Sequence, residues 1–167
     1  MALSKVNPNF VNQLGRRNLI INGAMRIAQR GATTTGIGQT SGYWACDRVK
    51  LFNAGGAGAT YTVSQETDGP TGSGFTHSYK VQTTTADTSL PAASYTILRL
   101  SNEAQDLLQL GWGTSSAKSL TFSFWVKSNK TGDQTILGAT HGSMQQHVKQ
   151  KFTINSANTW EKKEITF

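Results

Sequence analysis

Ser119-Leu120-Thr121-Phe122-Ser123-Phe124-Trp125-Val126-Lys127 decides the fold class. Leu120, Phe122, Phe124 and Val126 fall on one parity, and Thr121, Ser123, Trp125 and Lys127 on the other. That period of two belongs to a strand with one face buried and one face wet. Outward toward the C-terminus, a turn at 128–133 leads into an expected strand at 134–139. Met144, Val148, Phe152 and Ile154 share a parity in the next, and Asn155-Ser156-Ala157-Asn158 turns the chain into a last strand at 160–167. Outward toward the N-terminus, Ala104, Leu107 and Leu108 have the spacing of one or two helical turns within 102–110. Before them lie expected strands at 95–100, 60–65, 43–52 and 18–23, and an alternation of Phe75, His77, Tyr79 and Val81. Residues 31–42 read as a Gly/Thr loop, and 68–74 as a turn. About nine short strands without βαβ alternation predict an all-β protein, an antiparallel β-sandwich.

Composition agrees. Charged residues make up 15% of the chain, against about 25% in an average domain, and Thr, Ser, Asn, Gln and Gly take their place. That mixture suits strands joined by tight turns and disfavours a helical bundle. No apolar run is long enough for a membrane helix, and the first residues lack the apolar stretch of a secretory signal. A single cysteine, Cys46, excludes intrachain disulfides and CxxC zinc sites; it reads as a small buried hydrophobe. The formal charge is +7, but it is unevenly placed. Residues 1–50 carry Lys5, Arg16, Arg17, Arg26, Arg30, Arg48 and Lys50 against Asp47 alone, and the remainder is nearly neutral. The absence of any basic run longer than two and of a zinc-finger or RNP motif argues against nucleic acid as a partner.

Residues 1–17 read as an appendage of helical or extended form. Asn7 can cap a short helix, Pro8 suits its first position, and Phe10, Val11 and Leu14 share a face. So short a helix is unstable alone and must dock. Pro8, Phe10, Val11 and Leu14, with the basic pair Arg16 and Arg17, are therefore the candidate docking residues, and residues 18–167 are the body.

Catalytic chemistry is thinly represented. His77, His141 and His147 lack a neighbouring nucleophile motif, neither G-x-S-x-G nor H-E-x-x-H occurs, and no motif pairs two carboxylates. The expectation is no enzyme, no catalytic residues and no metal site. Trp112, between glycines, and Trp125, on the hydroxyl-bearing parity of its strand, are the carbohydrate-contact candidates. A flat ring beside hydroxyl and amide groups matches the apolar face and polar edge of a sugar.

Four stretches carry a resemblance: 18–31 with Asn22-Gly23-Ala24-Met25-Arg26-Ile27, 43–49 with Asp47-Arg48, 117–132 with Phe122-Ser123-Phe124-Trp125, and 153–167 with Asn158-Thr159-Trp160. In that order they resemble a β-sandwich module common in bacteriophage tail fibres and related virion proteins. The resemblance implies a carbohydrate-binding-module-like jelly roll and a non-enzymatic virion component. That component would be commonly trimeric, attached to tail or adaptor proteins through a short N-terminal segment. Alternatives in the same frame are a module recognising host surface glycan, or a capsid decoration or head fibre protein. Related modules often carry Phe-Glu after the Asn-Gly, where the acid helps hold calcium. Met25-Arg26 stand in those places, which argues against calcium there, and no other cofactor is implied. The family also continues past the Trp160 strand, so the sandwich is expected to be incomplete at its C-terminal end. More chain or a neighbouring subunit would complete it.

Overall fold

The computed structural model describes residues 18–56, 58–140 and 147–167. The candidate docking residues Pro8, Phe10, Val11, Leu14, Arg16 and Arg17, together with His141 and Met144, lie outside the described residues. The body is all-β and antiparallel, with one short helix among the described residues. It divides into two compact units, one comprising residues up to Gln65 and Tyr79–Asp106, the other Glu66–Ser78 and Leu107–Phe167.

The first unit contains two three-stranded sheets. In one, β4 (Thr60–Glu66) lies between β1 (Thr33–Ile37) and β5 (Ser78–Thr85). In the other, β3 (Val49–Ala54) lies between β2 (Gly42–Tyr43) and β6 (Tyr95–Leu100). Strand β3 alternates strictly: Val49, Leu51 and Asn53 are buried, and Lys50, Phe52 and Ala54 lie on the other face. Leu51, at 0% exposure, joins Ile37, Ala45 and Val63 in one core, against which Trp44, Tyr61, Tyr79 and Val81 pack. Both sheets contribute to it. Full burial of side chains of this size stabilises by about 1.5–3 kcal/mol each.

Three expectations fail in this unit. The strand expected at 18–23 is a turn: Asn18 Oδ1 accepts from the Ile20 amide, and Asn22 stands at φ 57° with its carbonyl bonded by Met25 N–H. Asn side chains that bond nearby backbone favour turns over ladders. The strand expected at 43–52 is broken between β2 and β3, with Ala45 at φ 56° and Arg48 at φ 71°. The break has a tertiary cause. Asp47 N–H donates to Ile27 O at 2.8 Å, Asn22 Nδ2 donates to both Ile27 O and Asp47 O at 2.9 Å, and Cys46 Sγ reaches Met25 O. The Gly/Thr loop expected at 31–42 contains β1, whose threonines suit an extended backbone and whose only buried residue is Ile37.

In the second unit, β7 (Thr121–Val126) pairs with β10 (Glu161–Thr166) in continuous register. Strand β8 (Gly132–Ala139) pairs with β9 (His147–Ile154). The parity of the opening stretch holds. The Phe122 and Phe124 rings meet tilted at 5.2 Å, and Phe124 meets Phe152 of β9 edge-on at 5.1 Å. Ile154, Ile165 and Leu110 are buried in the same unit. Lys163 and Glu161 share the face of Phe124 and Val126, their cross-strand partners. They satisfy each other there at 2.6 Å, with side chains only 16% and 14% exposed. Ahead of β7, α1 (Ala104–Leu107) runs into a 3₁₀ turn (Leu108–Leu110), ended by Gly111 at φ 60°. This matches the helical turns expected at 102–110.

Candidate functional site

Trp112 and Trp125 occupy different surroundings. Trp112 is 50% exposed in a loop that braces itself. Lys118 N–H donates to Leu110 O at 2.8 Å, Thr114 Oγ1 donates to Gly111 O at 2.7 Å, and the Trp112 Nε1–H donates to Lys118 O at 2.9 Å. The indole is thus held by its edge while half its surface stays open. Leu108, 77% exposed, stands one turn earlier. Trp125 is half-buried in mid-β7, directly across from Lys162, on the face bearing Thr121, Ser123, Glu164 and Thr166. Lys162 and Glu164 pair there at 2.6 Å. Among the described residues, no ring contact brings the two tryptophans together.

A third tryptophan has a bracing role. Trp160 Nε1–H donates to Asp68 Oδ1 at 3.2 Å, Lys127 bonds the other oxygen of Asp68, and its ammonium lies 5.5 Å from the Trp160 ring centre. These bonds from Lys127 and Trp160 hold the Asp68 carboxyl below the usual range.

Cys46 and His77 are each held in local contacts. Burial, and then the charge of Asp47, push the Cys46 thiol up to about 11, so it stays protonated at neutral pH. His77 Nδ1 shares a 2.8 Å hydrogen bond with Thr76 Oγ1. Among the described residues, no group of three His, Cys, Asp or Glu side chains could hold a metal ion. The Met25 carbonyl accepts from Gln65 Nε2 at 2.6 Å, and Arg26 is exposed.

The outer face of β2-β3-β6 holds a cluster that sequence reasoning missed. Tyr43, Lys50 and Arg99 form one rung across the three strands. Lys50 Nζ lies 5.8 Å from the Tyr43 ring centre and 5.5 Å from that of Phe52. The Arg99 guanidinium lies 5.4 Å from Phe52, and Arg30 lies 5.9 Å from Tyr43. Phe52 and Tyr95 are stacked at 6.0 Å with 19° between planes. The shared parity of Lys50 with Phe52, and of Tyr95 with Arg99, is visible in the sequence. The register that places Lys50 opposite Arg99 is not.

Comparison with known protein families, with curated proteins and with solved structures returns no match.

Proposed function

We propose that this chain is a non-enzymatic structural component of a bacteriophage virion, a tail fibre or tail protein. Its body would be a jelly-roll β-sandwich, and residues 1–17 would attach it to the particle. The observation that carries this reading is how the four resembling stretches are used. The stretches 18–31 and 43–49 are knitted by the Asn22, Ile27 and Asp47 hydrogen bonds. The stretches 117–132 and 153–167 pair as β7 and β10, with Asn158 N–H donating to Ser128 O at 2.7 Å. Residues that carry the resemblance thus serve as joints of the body, which suits a structural module. Gold-labelled antibody on purified particles tests the assignment. Label at the tail is expected; label over the capsid would favour a decoration or head fibre protein, and no label on particles would overturn the virion reading.

A second reading, a module that recognises host surface glycan, is favoured by the tethered, half-open ring of Trp112. Glycan-array binding that disappears in Trp112→Ala, with Trp125→Ala less affected, would support it. An array without binding to the wild-type chain would remove it.

A further inference from the structure

We infer that Lys163 and Asn155 join through a spontaneous amide cross-link between their side chains, with Glu161 moving the protons; this does not rest on the virion reading. The Lys163 ammonium and the Asn155 carboxamide nitrogen converge on one oxygen. Glu161 Oε2 accepts from Lys163 Nζ at 2.6 Å and from Asn155 Nδ2 at 3.0 Å. An amine, a carboxylate and an acyl carbon are thereby gathered at the turn from β9 into β10. The Lys163 and Glu161 side chains are mostly shielded from water, on the face of Phe124 and Val126. The other oxygen, Oε1, accepts from the Asn155 and Ser156 amides at 2.9 and 2.7 Å, which fixes the carboxylate in place. Groups tethered in this way react at high effective concentration.

The placement suits amide exchange. The carboxylate takes a proton from the Lys163 ammonium, and the freed amine attacks Asn155 Cγ. As the Nζ–Cγ bond forms, Glu161 gives that proton to Nδ2 and takes a second one from Nζ. The Cγ–Nδ2 bond then breaks, ammonia leaves, and Glu161 loses its remaining proton to solvent. A carboxyl drawn down to about 2 is a weak base, so linkage is slow, but one event per molecule completes it. Asp68 and Asp133 also hold an ammonium, yet their further side-chain bonds come from the Trp160 indole and the Thr153 hydroxyl. Neither partner supplies an acyl carbon. The rival attack on Asn155 Cγ is by the Ser156 amide nitrogen, whose N–H is engaged by Glu161. With Cys46 as its one cysteine, the chain closes no disulfide of its own; this link would staple the 155–163 turn covalently.

The test is mass spectrometry of the purified full chain during incubation over days near neutral pH. The intact mass should fall by that of one ammonia, and a tryptic digest should show residues 152–162 and 163–167 still joined. Lys163→Arg keeps the positive charge but removes the amine nucleophile, and should abolish both signals. Glu161→Gln should slow linkage by about a hundredfold or more. Should either variant lose its cooperative melt, Asn155→Ala, which leaves the Lys163–Glu161 pair in place, should also abolish both signals. An unshifted wild-type mass, the mark of an ion pair only, would overturn the proposal. So would ammonia loss that persists in Lys163→Arg, the mark of a succinimide, or linkage of Glu161→Gln at the wild-type rate.

Discussion

Asn53 and Glu161 are polar residues placed where the fold needs a bracket. Asn53, 5% exposed, donates through Nδ2 to Gly38 O at 2.9 Å and Thr40 O at 3.3 Å, and its backbone exchanges hydrogen bonds with Ser41 Oγ. Asn53→Ala would strip partners from these carbonyls. It should cost about 1–3 kcal/mol of unfolding free energy in urea titration. An unchanged midpoint would mean that water replaces the side chain. Glu161 accepts from Lys163, from Asn155 Nδ2 and from the Asn155 and Ser156 amides, closing the turn before β10. The Lys163 bond first, then the Ser156 amide, draw its pKa from 4.5 down to about 2. A carboxyl depressed in the folded state contributes stability that is complete above its unfolded pKa and lost as pH falls through the folded one. Stability should therefore decline between pH 4.5 and about 2, and Glu161→Gln should flatten part of that decline. An identical pH profile in the variant would remove Glu161 from the account.

Elements were legible in the sequence where local pattern and tertiary demand agree. Strands β4, β6, β7 and β10 fall at the expected 60–65, 95–100, 119–127 and 160–167, because apolar and β-branched residues there already suit a half-buried strand. β1 escaped detection because an edge strand that buries one residue has almost no apolar alternation. The break between β2 and β3 escaped for a different reason. Asp47 and Ile27, twenty positions apart, bond to each other, and no local pattern announces such a bond. For the candidate surfaces, the glycine flanks of Trp112 are a local loop signal, whereas the Tyr43-Lys50-Arg99 rung depends on pairing among three separate strands. At the end of β3, Gly55 stands at φ 83°, and a Cβ there would lie 2.0 Å from Ala93 O. Gly55→Ala must therefore displace backbone as well as strain φ, and should cost more than about 1 kcal/mol. A thermal melt indistinguishable from wild type would show that the loop yields freely.

At the scale of the whole molecule, charge is unevenly distributed along the chain. The basic excess belongs to the N-terminal third, whereas residues 51–167 are nearly balanced. Residues 1–17 hold three basic and no acidic side chains, and Arg26, Arg30, Arg48 and Lys50 against Asp47 place the rest of the excess at the start of the β body. A trimeric fibre component should sediment at three times the 18.0 kDa chain mass, and a monomer at all concentrations would argue against a fibre. The most direct test is incorporation of the full chain and of residues 18–167 into particles, quantified by mass spectrometry of purified virions. The shortened chain is expected to keep a cooperative, β-rich fold yet to be missing from particles that carry the full chain. Equal incorporation of a folded 18–167 would contradict docking through residues 1–17.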